Sequence, residues 1–487
     1  MSETDSIYSK YVPVIGLEVH AQLLTKSKAY CADKNEFGSE PNTLVGPLSL
    51  GHPGTLPKHN KEAIQQAVKV GIATHCQIRE NSYYARKNYF YADLPKGYQI
   101  TQDKTPICTK GFLTIKLKDG TKKNIGITLI HMEEDAGKSL HDQDVKDTLI
   151  DLNRAGVPLI EIVSEPEIAN GDEAYAYISE IRKLLRYLDV CDGNMEEGSL
   201  RCDANISVML KGSNTFGTKV EVKNMNSISN VKRAIDVEIK RQIDLLESGQ
   251  TFTSETRGFD ALQGVTFSQR SKELANDYRY FPEPDLPPVV IHQTDLEKIK
   301  AQMPSLPEEL FEKYHKQFGL SEYDAQILTE NKETAAYFES VLTFTSNKKA
   351  AANWVMVNIK GYLNENALEL KDFGLTAQQI AGIINLIDEG KISNSIASQQ
   401  LFPALLQNPS ETAASIAERL NLLMQSDSNE LEKIIDELLQ KNPAKVAEYK
   451  SGKKGIAGMF MGDIMKATHG KADPKIANQL INKKLNA

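Results

Sequence analysis

Cysteine is sparse and unpatterned in this chain: Cys31, Cys76, Cys108, Cys191 and Cys202 stand singly among 487 residues, with no Cys-x-x-Cys spacing. That argues against a disulfide framework and against a zinc knuckle. No run of 18 apolar residues exists, so no membrane-spanning helix is expected. The start, Met1-Ser2-Glu3-Thr4-Asp5, has neither the basic nor the apolar segment of a secretory leader, and a cytoplasmic location is the expectation. His-Glu-x-x-His, Gly-x-Ser-x-Gly and a Gly-x-Gly-x-x-Gly following a strand are all missing. Metalloprotease, serine-hydrolase and dinucleotide-binding readings fall with them, as does an amidase built on a Ser-Ser-Lys centre. The Gly137-Lys138-Ser139 tripeptide suggests a phosphate loop, but Met132 stands where that loop needs glycine and the intervening residues are acids.

At 487 residues the chain exceeds one ordinary core, and two or three domains are expected. Its net charge of −8 is uneven. From residue 441 onward ten lysines face Glu448, Asp463 and Asp473, so this segment carries +7 and the remainder −15. A polyanionic partner and a solvated lysine-rich surface both account for such a tail.

Up to about Pro288 the chain reads as short strands broken by Gly, Pro, Asn and Asp, with helical spacing at 172–188 and 230–248. The proline-rich stretch 281–288 marks a change, after which nearly everything reads as helix, in segments such as 295–303, 307–318, 321–343 and 350–366. A further unit begins near Thr376. The expectation is an α+β chain divided into 1–292, 293–375 and 376–487.

Several strands place acid on one face. In Val14-Ile15-Gly16-Leu17-Glu18-Val19-His20 the period of two sets Glu18 and His20 on the side opposite Ile15, Leu17 and Val19. Arg201, Asp203 and Asn205 alternate with Cys202, Ala204 and Ile206, and Glu221 and Lys223 alternate with Val220 and Val222. Carboxylates from separate strands are costly to bury together unless a cation holds them, which points to a hard metal. The acids of Glu133-Glu134-Asp135 suit the same task, although for this motif in isolation a surface acidic turn is the favoured reading. Arg201, Asn205 and Lys223 are candidate nucleotide contacts, since cationic and amide donors beside a metal share the neutralisation of a phosphoryl group. The segment 86–98, with Arg86, Lys87, Tyr89, Phe90, Tyr91 and Tyr98, offers either a stacking surface for bases or ordinary packing.

These strings, together with 151–166, 196–205, 277–284 and Gly462-Asp463-Ile464-Met465-Lys466, occur in an order that closely resembles the B subunit (GatB) of the aspartyl/glutamyl-tRNA amidotransferases. The resemblance implies a cradle-shaped catalytic domain with an antiparallel sheet, related to glutamine synthetase and guanido kinases. A helical domain and a tail domain like the small YqeY proteins would follow it. It implies Mg²⁺ held by Glu18, His20, Glu134, Asp203 and Glu221, ATP as co-substrate, and Lys87 near the exit of an ammonia tunnel. Implied partners are a glutaminase subunit, a small third subunit that completes a heterotrimer, and tRNA(Gln) or tRNA(Asn) bound through the basic tail. The implied reaction amidates a misacylated tRNA through an acyl phosphate, with Arg201 neutralising the transferring group. A free-standing ATP-dependent amide ligase for a small acid is the alternative, and a non-catalytic RNA adaptor the rival from another class. Many members carry a four-cysteine zinc knuckle; here only Cys31 remains and the turn reads Gly46-Pro47-Leu48-Ser49, so no zinc is expected and packing should hold the loop.

Overall fold

The computed structural model describes residues 7–141, 143–271, 278–424, 428–468, 472 and 474–486. Asn276 and Asp277, at the head of the Tyr278-Arg279-Tyr280 motif, lie outside them. The chain forms two compact units, Met1–Leu306 and Pro307–Ala487.

The first unit is built on a nine-stranded sheet. Its strands are β1 (Tyr11–Gln22), β2 (Gln77–Ile78), β5 (Cys108–Lys116), β6 (Lys122–Glu134), β7 (Pro158–Ser164), β8 (Leu200–Leu210), β9 (Val220–Lys223), β10 (Glu255–Asp260) and β11 (Val265–Ser271). Across the sheet they run β11-β10-β9-β8-β1-β7-β6-β5-β2. Neighbours are antiparallel except β9 and β10, which run parallel. The sheet is therefore mixed, not the purely antiparallel one expected. A parallel join needs a long crossover, and the helix Ile228–Glu247 lies between the two strands in the chain. Two strands between β2 and β5, β3 (Ala85–Asn88) and β4 (Tyr98–Thr101), join β12 (Phe281–Pro282) in a separate small sheet.

Ile15, Leu17, Val19 and Ala21 of β1, Ile160 and Ile162 of β7, and Cys202, Ala204 and Ile206 of β8 all turn to one side of the large sheet, where they are buried. Two helices complete this core. One is α2 (Gly171–Tyr187), capped by Asn170 and burying Tyr177, Ile178, Ile181 and Leu185; the other is α3 (Ile228–Glu247), capped by Ser227 and burying Val231, Ala234, Ile235 and Ile243. Both are legible in the sequence from apolar residues at helical spacing. A third, α1 (Lys61–Ala73), is not, although Asn60 caps it and Ala63, Ala67 and Val70 face the core. Its alanines and glycine dilute the periodic signal.

One carboxylate is fully buried within this layer. Glu238 of α3 accepts from Arg241 (Nη2 at 2.6 Å, Nε at 2.9 Å), Gln242 Nε2 (2.9 Å) and Thr266 Oγ1 (2.8 Å). These bonds tie α3 to β11. Deleting the acid strands buried donors, so Glu238→Ala should destabilise the protein by about 3–5 kcal/mol in chemical denaturation.

In the zinc-knuckle region, hydrogen bonds rather than packing alone close the loop. Asp33 Oδ2 accepts from Gly46 N (2.7 Å) and from the Cys31 thiol (3.3 Å). A Cβ at Gly46 would come within 2.5 Å of Asp33 Oδ1, so a side chain there would push the carboxylate out of the clasp.

The second unit is helical. The run 321–343 is two helices, α4 (Glu322–Leu328) and α5 (Lys332–Leu342), because Asn331 starts a new cap by accepting from Thr334 N. Thr376 and Gln379 form a capping box that opens α6 (Ala377–Asp388), and α6 packs on α5. The last four helices, α7 (Ser428–Lys441), α8 (Pro443–Lys450), α9 (Ile456–Ala467) and α10 (Pro474–Asn486), bury a cluster of their own that includes Leu431, Ile435, Tyr449, Phe460, Ile464, Ile481 and Leu485. Among the described residues no helix is long and apolar enough to cross a membrane.

Candidate active site

Register assembles the face opposite α2 and α3. Glu18 pairs with Asp203, His20 with Arg201, and Gly16 with Asn205 across β1 and β8. Asn205 in turn pairs with Glu221 on β9. On the other flank of β1, His20 pairs with Glu161 of β7, and Glu161 with His131 of β6. Since side chains of directly paired residues share a face, these strands converge their polar groups by geometry alone.

Two groups result. Glu18, Asp203 and Glu221 bring carboxylate oxygens within 4.8 Å of one another, and so do ligand atoms of His20, Glu133 and Glu161. Burial pushes the Glu18 carboxyl up from its ordinary range, and the charges of Glu161, Asp203 and Glu221 add to it. Only partial relief comes from the chain itself. Asn205 Nδ2 donates to Glu18 Oε1 (2.7 Å), Thr256 Oγ1 to Glu221 Oε2 (3.0 Å), and the Lys223 ammonium bonds to Asp203 and lies 3.1 Å from Glu221 Oε1. Those two acids outweigh burial and hold the Lys223 pKa above its ordinary value.

In the second group Glu161 Oε2 lies 2.9 Å from His131 Nε2 and 3.4 Å from His20 Nε2. Burial opposes charge on both rings, yet the bonds to Glu161 prevail, raising His20 and lifting His131 to about 9. Burial would push Glu161 up, but its hydrogen bonds to His131 and His20 hold it well below the usual carboxylate range. Glu133 is fixed by Gln99 Nε2 (3.1 Å) and Thr101 Oγ1 (2.9 Å), both from β4.

A cavity of about 620 Å³ touches both groups, lined among others by His20 and Glu133 of the second, Asp203 of the first, and Lys87, Arg201 and Lys223. Lys87 reaches it from β3, with its ammonium 5.0 Å from the Tyr278 ring centre. Burial works against the Lys87 charge, and Glu133, foremost among the acidic groups around it, raises its pKa. Asn224, on the lining and leading into α3, adopts a left-handed φ of 62°, which asparagine tolerates better than most residues.

Of the five expected metal ligands, Glu18, Asp203 and Glu221 meet, and His20 lies in the neighbouring group. Glu134 joins neither. It follows Ile130 and Met132 in parity, is buried, and bonds to the Lys96 ammonium and to Ile100 N (2.9 Å). Its neighbour Glu133 is the one that lies with His20 and Glu161, because two adjacent acids at a strand's end point to opposite sides. Sequence reasoning misses Glu161 and His131. The alternation Leu159-Ile160-Glu161-Ile162 obeys the rule that exposes Glu18, so that signal is present. Arg201, Asn205 and Lys223 sit beside the carboxylates as expected, but in this state each bonds to an acid of the site.

The donor sets fit divalent cations. Three carboxylates supply oxygen only, the donor type that Mg²⁺ and Mn²⁺ prefer, and the second group supplies two carboxylates with an imidazole, a donor more typical of first-row transition ions.

This acidic face is suited to holding divalent cations, and comparison with known proteins shows the family to which the chain belongs. Residues 13–297 match the family model described as the GatB/GatE catalytic domain, and residues 336–485 match the GatB domain. The chain is 48% identical over 476 residues to the B subunit of the aspartyl/glutamyl-tRNA(Asn/Gln) amidotransferase of Chlorobium limicola, covering 98% of this chain and 99% of the relative. It is 49% identical over 476 residues to that of Trichlorobacter lovleyi, with the same coverage. Against its counterpart in Gloeothece citriformis it is 48% identical over 491 residues, 99% of each chain. The chain belongs to the GatB family, the B subunits of the aspartyl/glutamyl-tRNA(Asn/Gln) amidotransferases.

The sorting of acids predicts a contrast measurable by calorimetric titration with Mn²⁺. Glu133→Gln and Asp203→Asn should each weaken cation binding by at least about tenfold, as loss of a charged ligand does. Glu134→Gln should lower thermal stability while leaving the cation stoichiometry unchanged. Equal losses from all three would contradict the sorting.

Proposed function

We propose that this chain is the amide-forming subunit of an ATP-dependent tRNA amidotransferase. It acts on Glu-tRNA(Gln), Asp-tRNA(Asn) or both. The observation that supports this best is the pair of acid groups on one sheet face, flanking a cavity that also presents Arg201, Lys223 and Lys87. A free carboxylate resists amidation because oxide is a poor leaving group, and phosphorylation replaces it with a good one. The side-chain carboxylate of the tRNA-linked residue attacks the γ-phosphorus of ATP; the new O–P bond forms as the bond to ADP breaks. Ammonia nitrogen then bonds to the acyl carbon, phosphate leaves with the C–O electron pair, and the nitrogen gives up a proton.

Glu18, Asp203 and Glu221 would hold one Mg²⁺, and His20, Glu133 and Glu161 are placed to hold a second divalent ion. Bound there, such ions neutralise the ATP phosphates and favour attack at phosphorus. Asn205 and Thr256 orient the carboxylates of the first group, and Gln99 and Thr101 orient Glu133. Arg201 meets the charge that develops on the transferring phosphoryl group. Lys87, on the cavity lining, would mark where ammonia arrives from a glutaminase subunit, in a heterotrimer completed by a small third chain in the cytoplasm. The reading includes a cradle related to glutamine synthetase and guanido kinases in 1–292, a helical domain in 293–375 and a YqeY-like tail in 376–487.

Asp203→Asn in the assembled complex should abolish amidation and tRNA-dependent ATP cleavage while glutaminase activity persists. Retained amidation would remove this chain's acids from the chemistry.

The tail reading rests on the +7 charge beyond residue 440 and on the separate cluster of the last four helices. Lysine–phosphate contacts release counterions, so affinity should fall steeply with salt. Deleting residues 428–487 removes the cluster whole. It should weaken tRNA binding at least about tenfold at moderate salt and flatten the salt dependence, both measurable by filter binding.

A further inference from the structure

Three consecutive acids span the end of β6 and the turn after it, and each meets a different environment. Glu133 faces the cavity and Glu134 meets Lys96, which leaves Asp135. This carboxylate is buried, and its Oδ2 accepts from Gln22 Nε2 (2.8 Å) and Arg201 Nη2 (2.9 Å), with Arg154 Nε 3.8 Å away. Its Oδ1 accepts from Ala136 N (3.0 Å). Its backbone is pinned as well: Asp135 N donates to Val157 O (2.8 Å), and Asp135 O accepts from Gly156 N (2.9 Å). Arg154 spans the same turn, donating from Nε to Ala136 O (3.0 Å) and from Nη2 to Gly137 O (2.7 Å).

Arg201 is one-third exposed and lines the cavity, and Asp135 is the acid that grips it. An arginine side chain has considerable rotamer entropy to lose. A guanidinium held by one nitrogen on a rigid acid is already ordered before substrate arrives, and its remaining N–H groups stay available. Asp135 also bonds Gln22 of β1 and sits at the end of β6, so one atom ties Arg201 to both strands that supply His20 and Glu133.

We infer that Asp135 is the positioning residue for Arg201: it holds the guanidinium toward the cavity so that the arginine meets the transferring phosphoryl group. This inference rests on the role given to Arg201 above. It assigns the third acid of the run to orientation rather than to metal binding.

A mutant cycle in the intact complex tests it, with single-turnover amidation and tRNA-dependent ATP cleavage as readouts. Arg201→Ala should slow the chemical step roughly a hundredfold or more, as loss of an electrostatic stabiliser does. Asp135→Asn should slow it at least about tenfold with little change in KM for tRNA, and should add almost nothing in the Arg201→Ala background. Millimolar guanidinium should partly restore Arg201→Ala, and this rescue should be lost when Asp135→Asn is added. A merely structural acid would not affect the rescue. Where Asp135→Asn melts too low to assay, Asp135→Glu keeps the charge, displaces the anchor, and should show the same non-additivity. Additive losses, or rescue that survives without Asp135, overturn the inference. An unimpaired Arg201→Ala would instead overturn the role of Arg201 itself.

Discussion

The structure of the acidic face depends on one constraint: carboxylates that cannot move apart. Two unit charges at 4.8 Å, with an effective dielectric constant near 20, repel by roughly 3 kcal/mol. Solvent-exposed side chains would relieve this by rotating away. Here the apolar side of β1, β7 and β8 is locked into the core beneath α2 and α3, so the register holds and the acids stay together. The polar groups around them can be understood as responses to that crowding. Lys223 leans on Asp203 and Glu221, Asn205 and Thr256 donate to Glu18 and Glu221, and two histidines share Glu161. Such compensation is partial, as the raised Glu18 pKa records.

The end of β6 shows how finely a strand terminus can divide labour. Glu133, Glu134 and Asp135 are chemically near-equivalent, yet parity separates the first two and the turn after the strand separates the third. One acid serves the cavity, and one binds Lys96 and the amide of Ile100, next to the Gln99 that holds Glu133. The last anchors an arginine. Near-identical chemistry in the sequence thus yields three roles because each position meets a different set of neighbours.

What the sequence reveals follows from this. Alternation within β1, β8 and β9 exposes Glu18, His20, Arg201, Asp203, Asn205, Glu221 and Lys223, since each strand carries apolar partners on its other face. It does not specify which strands are neighbours, so the split into two groups of three is hidden. At Glu133 and Glu134 the pattern is ambiguous because two adjacent acids satisfy either parity. The helices α2 and α3 are visible from their apolar stripes, whereas α1 is masked by small residues. The parallel pairing of β9 and β10 is a long-range choice that no local signal encodes.

The arrangement also has a thermodynamic consequence. A face of clustered anions destabilises the folded chain relative to an unfolded one in which those charges separate. A divalent cation binding only the folded state offsets this by mass action, about 2.7 kcal/mol when its concentration is a hundred times its dissociation constant. Lys223 provides a weaker version of the same relief, since a single ammonium bridges two of the three acids. The large core behind the sheet must therefore carry the residual repulsion. That accounts for the two-sided character of the first unit: the face that gathers the acids is polar and crowded with charge, and the opposite face is occupied mostly by isoleucine, leucine, valine and alanine packed against two long amphipathic helices.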